Sequence, residues 1–243
     1  MQGKQLAGQT IVFIGGSAGI GLATARLARI ENANVILTGR DPKRLNDAAR
    51  DVHAWRTAAF DVHDDDAVRE FFQGIPGAIN HIMVTAGNPR YGPMLQMDSG
   101  QLRETLSGHI MAYHSVARHA ASKIEPKGSL VFMGGTGGRR VTKELGIIAA
   151  VTAALPPFTS ALALELAPIR VNLIAAGFVD TPLSASLLGE RLEDRRAHLR
   201  ATLPIGRVVG AMDVAALAIH LMTNTALTGA TYDIDGGQQF SDP

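Results

Sequence analysis

Short, unbroken apolar runs alternate along this chain with longer stretches whose apolar residues recur every three or four positions. The runs predict strands at 10–14, 33–38, 55–60, 79–85, 128–133, 169–174 and 230–234. The helical period predicts helices at 19–31, 42–52, 65–72, 101–123, 142–166 and 211–222. Strands that are apolar on both faces suit a parallel sheet buried from both sides, with the intervening helices as crossovers. The expectation is an α/β fold. No linker, repeat or low-complexity segment interrupts the alternation, so residues 1–243 read as a single domain. Residues 179–204 form an insertion before the last helix and strand, with one or two short helices, placed to act as a lid.

The first strand runs directly into Gly15, Gly16, Ser17, Ala18, Gly19, Ile20 and Gly21, and then into the apolar face of a helix. A phosphate site needs that order. Gly15 permits the tight turn, Gly19 lets backbone approach a pyrophosphate, and Gly21 lets helix pack on sheet, while the helix start supplies amides and positive dipole. The bland alternative is a tight strand-to-helix connection with no ligand. At the end of the second strand, Gly39 stands where a ribose-binding carboxylate would select NAD, and Arg40 follows it. A guanidinium can clamp a 2′-phosphate in two bonds, so this position reads as NADP(H) over NAD(H); a solvated surface arginine is the alternative. Asp61 and Val62 close the third strand, where Asp61 can meet an adenine amino group. Asp64, Asp65 and Asp66 read as a helix cap with favourable dipole charges rather than as a cation site.

Composition mainly excludes. Lys and Arg total 23 against 22 Asp and Glu, so no basic excess exists to neutralise a nucleic-acid backbone. The absence of cysteine removes disulfides, thiolate metal sites and thiol chemistry, and fits a reducing compartment, with the cytoplasm expected. The opening residues carry no apolar signal-like core, and no uninterrupted apolar run approaches the roughly 18 residues of a membrane span. His109, His114 and His119 are five residues apart and rotate away from one another on a helix, so no metal is expected.

Taken in order, GGSAGIG, LTGR, FDV at 60–62, TAG at 85–87, IRVNLIAAGFVDTP at 169–182 and TGATYDIDGG at 228–237 make the chain resemble the short-chain dehydrogenases/reductases over essentially its whole length. The resemblance implies a Rossmann-type, doubly wound parallel sheet of about seven strands with helices on both faces, assembled as a homodimer or homotetramer. It implies hydride transfer between NAD(P)H and a carbonyl or alcohol. By it, Gly15, Ser17, Gly19, Ile20 and Gly21 fall on the pyrophosphate loop, Arg40 on the 2′-phosphate, Asp61 and Val62 on the adenine pocket, and Ala86 and Gly87 on the turn after the fourth strand. Gly177, Val179 and Thr181 fall near the nicotinamide. Ile14, Val84, Thr85 and Ala176 depart from the family's usual residues there.

The same resemblance places Gly135 where the family has its catalytic serine, Ile148 where it has tyrosine and Thr152 where it has lysine. Isoleucine transfers no proton. His109 stands where an asparagine would complete the proton relay. A general acid is typically worth about 10²–10⁴ in rate, so this replacement removes much of the usual advantage. Three readings follow. A rewired site uses His109, with Thr136, Arg139, Tyr91 or Thr152 as further donors or orienters; or the protein is a cofactor-binding pseudoenzyme, a sensor or partner subunit; or the scaffold performs non-redox chemistry. Each candidate also has a bland reading, His109 as a satisfied helix histidine and the glycine-flanked Thr136 turn as close packing. Pro156 and Pro157 interrupt the helix that carries positions 148 and 152, and a kink is expected there. Arg191, Arg195, Arg196 and Arg200 in the insertion read as an exposed charged helix before they read as an acidic-substrate site.

Overall fold

A computed structural model describes residues 4–87, 89–139, 141 and 143–241. In chain order the elements are β1 (Thr10–Ile14), α1 (Gly19–Ile30), β2 (Asn34–Gly39), α2 (Pro42–Val52), β3 (Arg56–Ala59), α3 (Asp65–Gln73), β4 (Ile79–Val84), α4 (Ser99–Ala120), β5 (Ile124–Gly135) and α5 (Gly146–Glu165). They continue with β6 (Arg170–Ala176), β7 (Val179–Asp180), α6 (Pro182–Leu188), α7 (Leu192–Thr202), β8 (Val209–Gly210), α8 (Ala211–Thr223) and β9 (Thr231–Ile234).

Seven strands form one parallel sheet in the order β3-β2-β1-β4-β5-β6-β9. The order reverses between β1 and β4, and ligands of doubly wound sheets bind in the crevice beyond the strand ends at such a reversal. The unbroken apolar runs have a simple cause: both faces of each central strand are covered. Val12, Ile14, Val84 and Phe132 face a cluster holding Phe72 of α3, Tyr113 and Val116 of α4 and Leu155 of α5. Their neighbours Ile11, Phe13, Met83 and Val131 face the other cluster, with Ala25 of α1, Leu45 of α2 and Val214 and Leu221 of α8.

The element boundaries depart from the sequence pattern where side-chain hydrophobicity and backbone pairing part company. β5 begins at Ile124, four residues early, because Ile124 pairs with Ile79 before the register shifts and Glu125 to Lys127 are carried along exposed. α4 begins at Ser99 because Asp98 caps it in a reciprocal capping box with Gln101. α5 begins at Gly146; Thr142, where the pattern starts that helix, lies outside the described residues. Both prolines sit within α5, which continues through them to Glu165. α5 is also the one helix among the described residues long and apolar enough to cross a bilayer, a property the run-length reading passed over. Its Ile147, Ile148, Val151, Leu155 and Leu162 are buried in the fold.

Candidate functional site

At the reversal point, Gly15 has φ +94° and Gly19 has φ +54°, conformations that side chains other than glycine's resist. The glycines of this turn divide into two kinds. A Cβ on Gly15 would lie 2.6 Å from the amide nitrogen of Ala86, and one on Gly21 would lie 2.4 Å from the Gly15 carbonyl oxygen. Those two serve close packing of turn, helix and β4. At Gly19, by contrast, the nearest atoms to an added Cβ are Thr181 Cβ and Cγ2, at 3.6 Å, so the residue between β7 and α6 is what faces the backbone here. Ala18 is the N-cap of α1 and offers no side-chain acceptor, and the first turn holds no acid. The opening amides and the dipole of α1 are therefore available to an anion.

Thr85 locks this turn to β4: its hydroxyl donates to the carbonyl oxygens of Gly15 at 3.0 Å and Ile14 at 3.3 Å. In the sequence Thr85 stands as part of the TAG motif and as a departure from the family's usual residue, with no partner assigned. No local signal in the chain reveals the bond, which spans 70 residues. Ser17 is buried, and a Cβ on Gly39 would lie 2.9 Å from its Oγ. Gly39 is thus fixed by Ser17 as well as by any ligand. Arg40 follows, exposed, with one guanidinium nitrogen 3.8 Å from Asp61 Oδ2. Asp61 Oδ1 accepts from the backbone N–H of His63 at 3.0 Å and lies 2.8 Å from its Nδ1. Burial works against the Asp61 charge, but the backbone and ring hydrogen bonds of His63, with the charges of His63 and Arg40, hold the carboxyl below its ordinary range. Asp64 caps α3 by accepting from Ala67 N at 3.0 Å, and no metal-holding cluster occurs among the described residues.

The remaining residues assigned to this side are more embedded. Val62 is buried in the core, Val179 pairs with Val209 of β8, and Ile20 and Ala86 are partly buried. Gly177 lies over Asp235, where a Cβ would meet Asp235 Cβ at 2.6 Å. Thr181 caps α6: its hydroxyl accepts from Ser184 N at 3.3 Å. Arg196 of the insertion bonds Asp180 at 2.6 Å and also Glu193, which ties α7 to β7.

Beyond β5, Gly135 and Thr152 come together: a Cβ on Gly135 would lie 3.4 Å from Thr152 Cγ2 and 3.4 Å from Ala176 O. The Thr152 hydroxyl donates to Ala149 O at 3.1 Å. Ile148, one turn earlier on α5, is buried, as is Thr136 in the short 3₁₀ turn Thr136–Arg139. Arg139 forms an ion pair with Asp233 of β9, and Tyr91 is half exposed on the loop after β4. His109 of α4 lies against the turn after β4, its Nε2 2.9 Å from where a Gly87 Cβ would be, with its ring edge-on to Tyr113. Burial, then the charge of His63, holds its imidazole below its ordinary pKa.

A parallel doubly wound sheet with an open, uncapped glycine turn at its reversal defines a dinucleotide-binding α/β protein. The family model described as Enoyl-(Acyl carrier protein) reductase matches residues 15–239. The chain is 29% identical to short-chain dehydrogenase/reductase ATR9 of Stachybotrys chlorohalonatus, over 96% of this chain and 97% of that protein. It is 28% identical to the 3-oxoacyl-(acyl-carrier-protein) reductase of Bos taurus, over 93% and 96%. A small-chain dehydrogenase solved in complex with NADPH superposes with a TM-score of 0.81 at 27% identity, covering 96% of this chain and 99% of that one. The fold alone is shared with the MalC reductase/Diels-Alderase of Malbranchea aurantiaca, at a TM-score of 0.90 and 22% identity over 98% of each chain. The chain belongs to the short-chain dehydrogenase/reductase family, oxidoreductases that bind nicotinamide cofactors.

Proposed function

We propose that this chain binds NADPH in preference to NADH and acts as an oxidoreductase on a carbonyl or alcohol with a depleted proton-transfer set. The observation that carries the reading is the uncapped glycine turn with Arg40 at its rim: backbone amides for a pyrophosphate and a guanidinium for a 2′-phosphate. A bound nicotinamide supplies or accepts the hydride. The chain's own residues position and exclude. Gly19 admits the phosphates, Thr181 and the following insertion cover them, and His109, whose charged form burial and the His63 charge disfavour, orients through its ring beside Gly87.

In this reading Gly135, Ile148 and Thr152 stand in the serine, tyrosine and lysine positions, so hydride transfer runs on proximity. A second reading, a pseudoenzyme serving as sensor or partner subunit, is favoured by the buried aliphatic side chain of Ile148. We also infer a homodimer or homotetramer, supported by Leu106 and Met111 on α4 and Leu164 on α5, all exposed. Light scattering tests the assembly; a monomer would refute it.

Fluorescence titration with NADPH and NADH, followed by a screen of carbonyls and alcohols on the wild type and His109→Ala, tests the function. Tighter NADPH binding with slow turnover supports the oxidoreductase, and tight binding without turnover supports the pseudoenzyme. Equal or weaker NADPH binding defeats the cofactor assignment.

A further inference from the structure

Resting on the reading of Arg40 as the 2′-phosphate partner, we infer that His63 is a positioning residue for cofactor selection: it pins the Asp61 carboxylate so that Arg40 stays free to meet a 2′-phosphate. Arg40 and Asp61 leave adjacent strands side by side, with the Phe60 amide bonded to the Gly39 carbonyl at 3.2 Å between them. A carboxylate this close to a guanidinium ordinarily folds into a two-bond fork with it. Here the guanidinium nitrogen stops at 3.8 Å from Oδ2, beyond hydrogen-bond reach, while Oδ1 is held by two nitrogens of one residue, the amide of His63 at 3.0 Å and its ring Nδ1 at 2.8 Å.

His63 Nε2 lies 3.4 Å from where a Cβ on Gly108 of α4 would be. The imidazole therefore lies beside α4 with Nδ1 on the Asp61 carboxylate, and turning the carboxylate toward Arg40 would break both of its bonds to His63. Asp61 and a 2′-phosphate compete for the same guanidinium, and His63 weights that competition toward the phosphate. NADH has no such group, so the pinning of Asp61 by His63 favours NADPH without a comparable effect on NADH.

The test measures dissociation constants of NADPH and NADH for the wild type, His63→Ala, His63→Asn, Asp61→Asn, Asp61→Asn with His63→Ala, and Arg40→Ala. Contacting pairs couple measurably, so His63→Ala should weaken NADPH relative to NADH by about fivefold. His63→Asn, whose amide nitrogen can take the place of Nδ1, should restore the ratio, and in the Asp61→Asn background His63→Ala should leave the ratio unaltered. Equal weakening of both cofactors, or none, would overturn the inference, as would an undiminished effect of His63→Ala without the Asp61 carboxylate. If Arg40→Ala leaves the NADPH-to-NADH ratio at its wild-type value, the 2′-phosphate reading itself fails, and this inference fails with it. An altered ratio in Arg40→Ala beside an unmoved one in His63→Ala overturns the role of His63 alone.

Discussion

The turn from β1 into α1 and the turn from β5 toward α5 leave the same edge of the sheet, and both are built on glycine, yet their glycines answer to different constraints. In the first, side chains at Gly15 and Gly21 would drive into backbone atoms at 2.6 and 2.4 Å, so the protein's own packing dictates the residue. In the second, a Cβ on Gly135 would make ordinary contacts at 3.4 Å, and one on Gly137 would come no nearer than 3.8 Å to Thr152 Oγ1. A serine would fit at Gly135. Sterics preserve Gly15 and Gly21 of the first turn whatever its ligand; in the second, α5 backbone at 3.0–3.1 Å holds Gly138, but Gly135 would accept a side chain. Under the proposed assignment of positions 135, 148 and 152, binding and chemistry diverge independently in this fold.

The most drastic way to break that comparison is to rebuild the second turn. On the proposed assignment, Gly135→Ser, Ile148→Tyr and Thr152→Lys together supply the absent residue types, and the proposed depletion predicts a rise in kcat/KM of about 10²–10⁴ on a carbonyl panel, the worth of a general acid. Gly135→Ser alone should leave Tm nearly unmoved because its Cβ meets no hard contact. A folded triple variant no faster than the wild type would show that the proton-transfer set is not what limits this chain.

The first turn should respond in the opposite sense. Gly21→Ala adds a methyl group in a helix, where alanine is ordinarily favoured by about 0.5–1 kcal/mol. Here that methyl meets the Gly15 carbonyl oxygen and the Thr85 hydroxyl. Overpacking of this kind costs about 1–3 kcal/mol, and the displaced turn should weaken NADPH by about tenfold or more. Urea unfolding and fluorescence titration read the two effects. A stabilised Gly21→Ala protein would remove the steric half of the contrast.

Much of the first turn was legible in the chain because its constraint is local: a strand, a glycine run and a helix start occupy consecutive residues, and β1 and α2 fall at their expected bounds. What escaped detection is the set of contacts made between distant segments. Thr85 on Gly15, His63 beside Gly108, and Arg139 on Asp233 join residues whose pairing depends on sheet order. The two-residue strands β7 and β8 were equally invisible, since pairing Val179 with Val209 creates them and no run of residues announces them. α5 shows the converse: two prolines mark a break in the sequence, but the helix continues, and Ser160 Oγ bonds both the Pro156 carbonyl and Gly229 on the neighbouring chain segment.

Both turns depend on the sheet beneath them, and its acid limit sets where the comparison can be made. At the opposite edge, buried His81 spans Ser129 Oγ at 2.8 Å and Gln9 Oε1 at 2.7 Å. Burial, with the Arg170 charge adding to it, depresses its pKa from 6.5 to about 3. Between those values the unfolded chain binds the proton and the native chain does not, so stability falls as pH drops through 6.5 toward 3. Between pH 7 and pH 5 the loss should be about 2 kcal/mol. Urea midpoints across that window should show the slope in the wild type and a clearly shallower one in His81→Gln, the remainder coming from His109, which burial shifts in the same direction. An unchanged slope would place the acid sensitivity elsewhere, and binding comparisons between the two turns belong above pH 6.5 in either case.

The smallest expected effect bears most directly on the second turn. The Thr152 hydroxyl donates to the Ala149 carbonyl of its own helix, and its Cγ2 faces Gly135. Thr152→Val keeps the Cγ2 contact and removes only the hydroxyl, so stability should change by less than about 1 kcal/mol, the net worth of one such hydrogen bond. NADPH affinity should stay within about twofold, because the pyrophosphate side of the site lies across the sheet reversal from this residue. Turnover, however slow, should also persist, since a hydroxyl committed to a helix carbonyl is a poor proton carrier. A fall of about tenfold or more in kcat with unchanged affinity would make Thr152 the proton mover, and the second turn would then hold chemistry of its own rather than the remnant of another's.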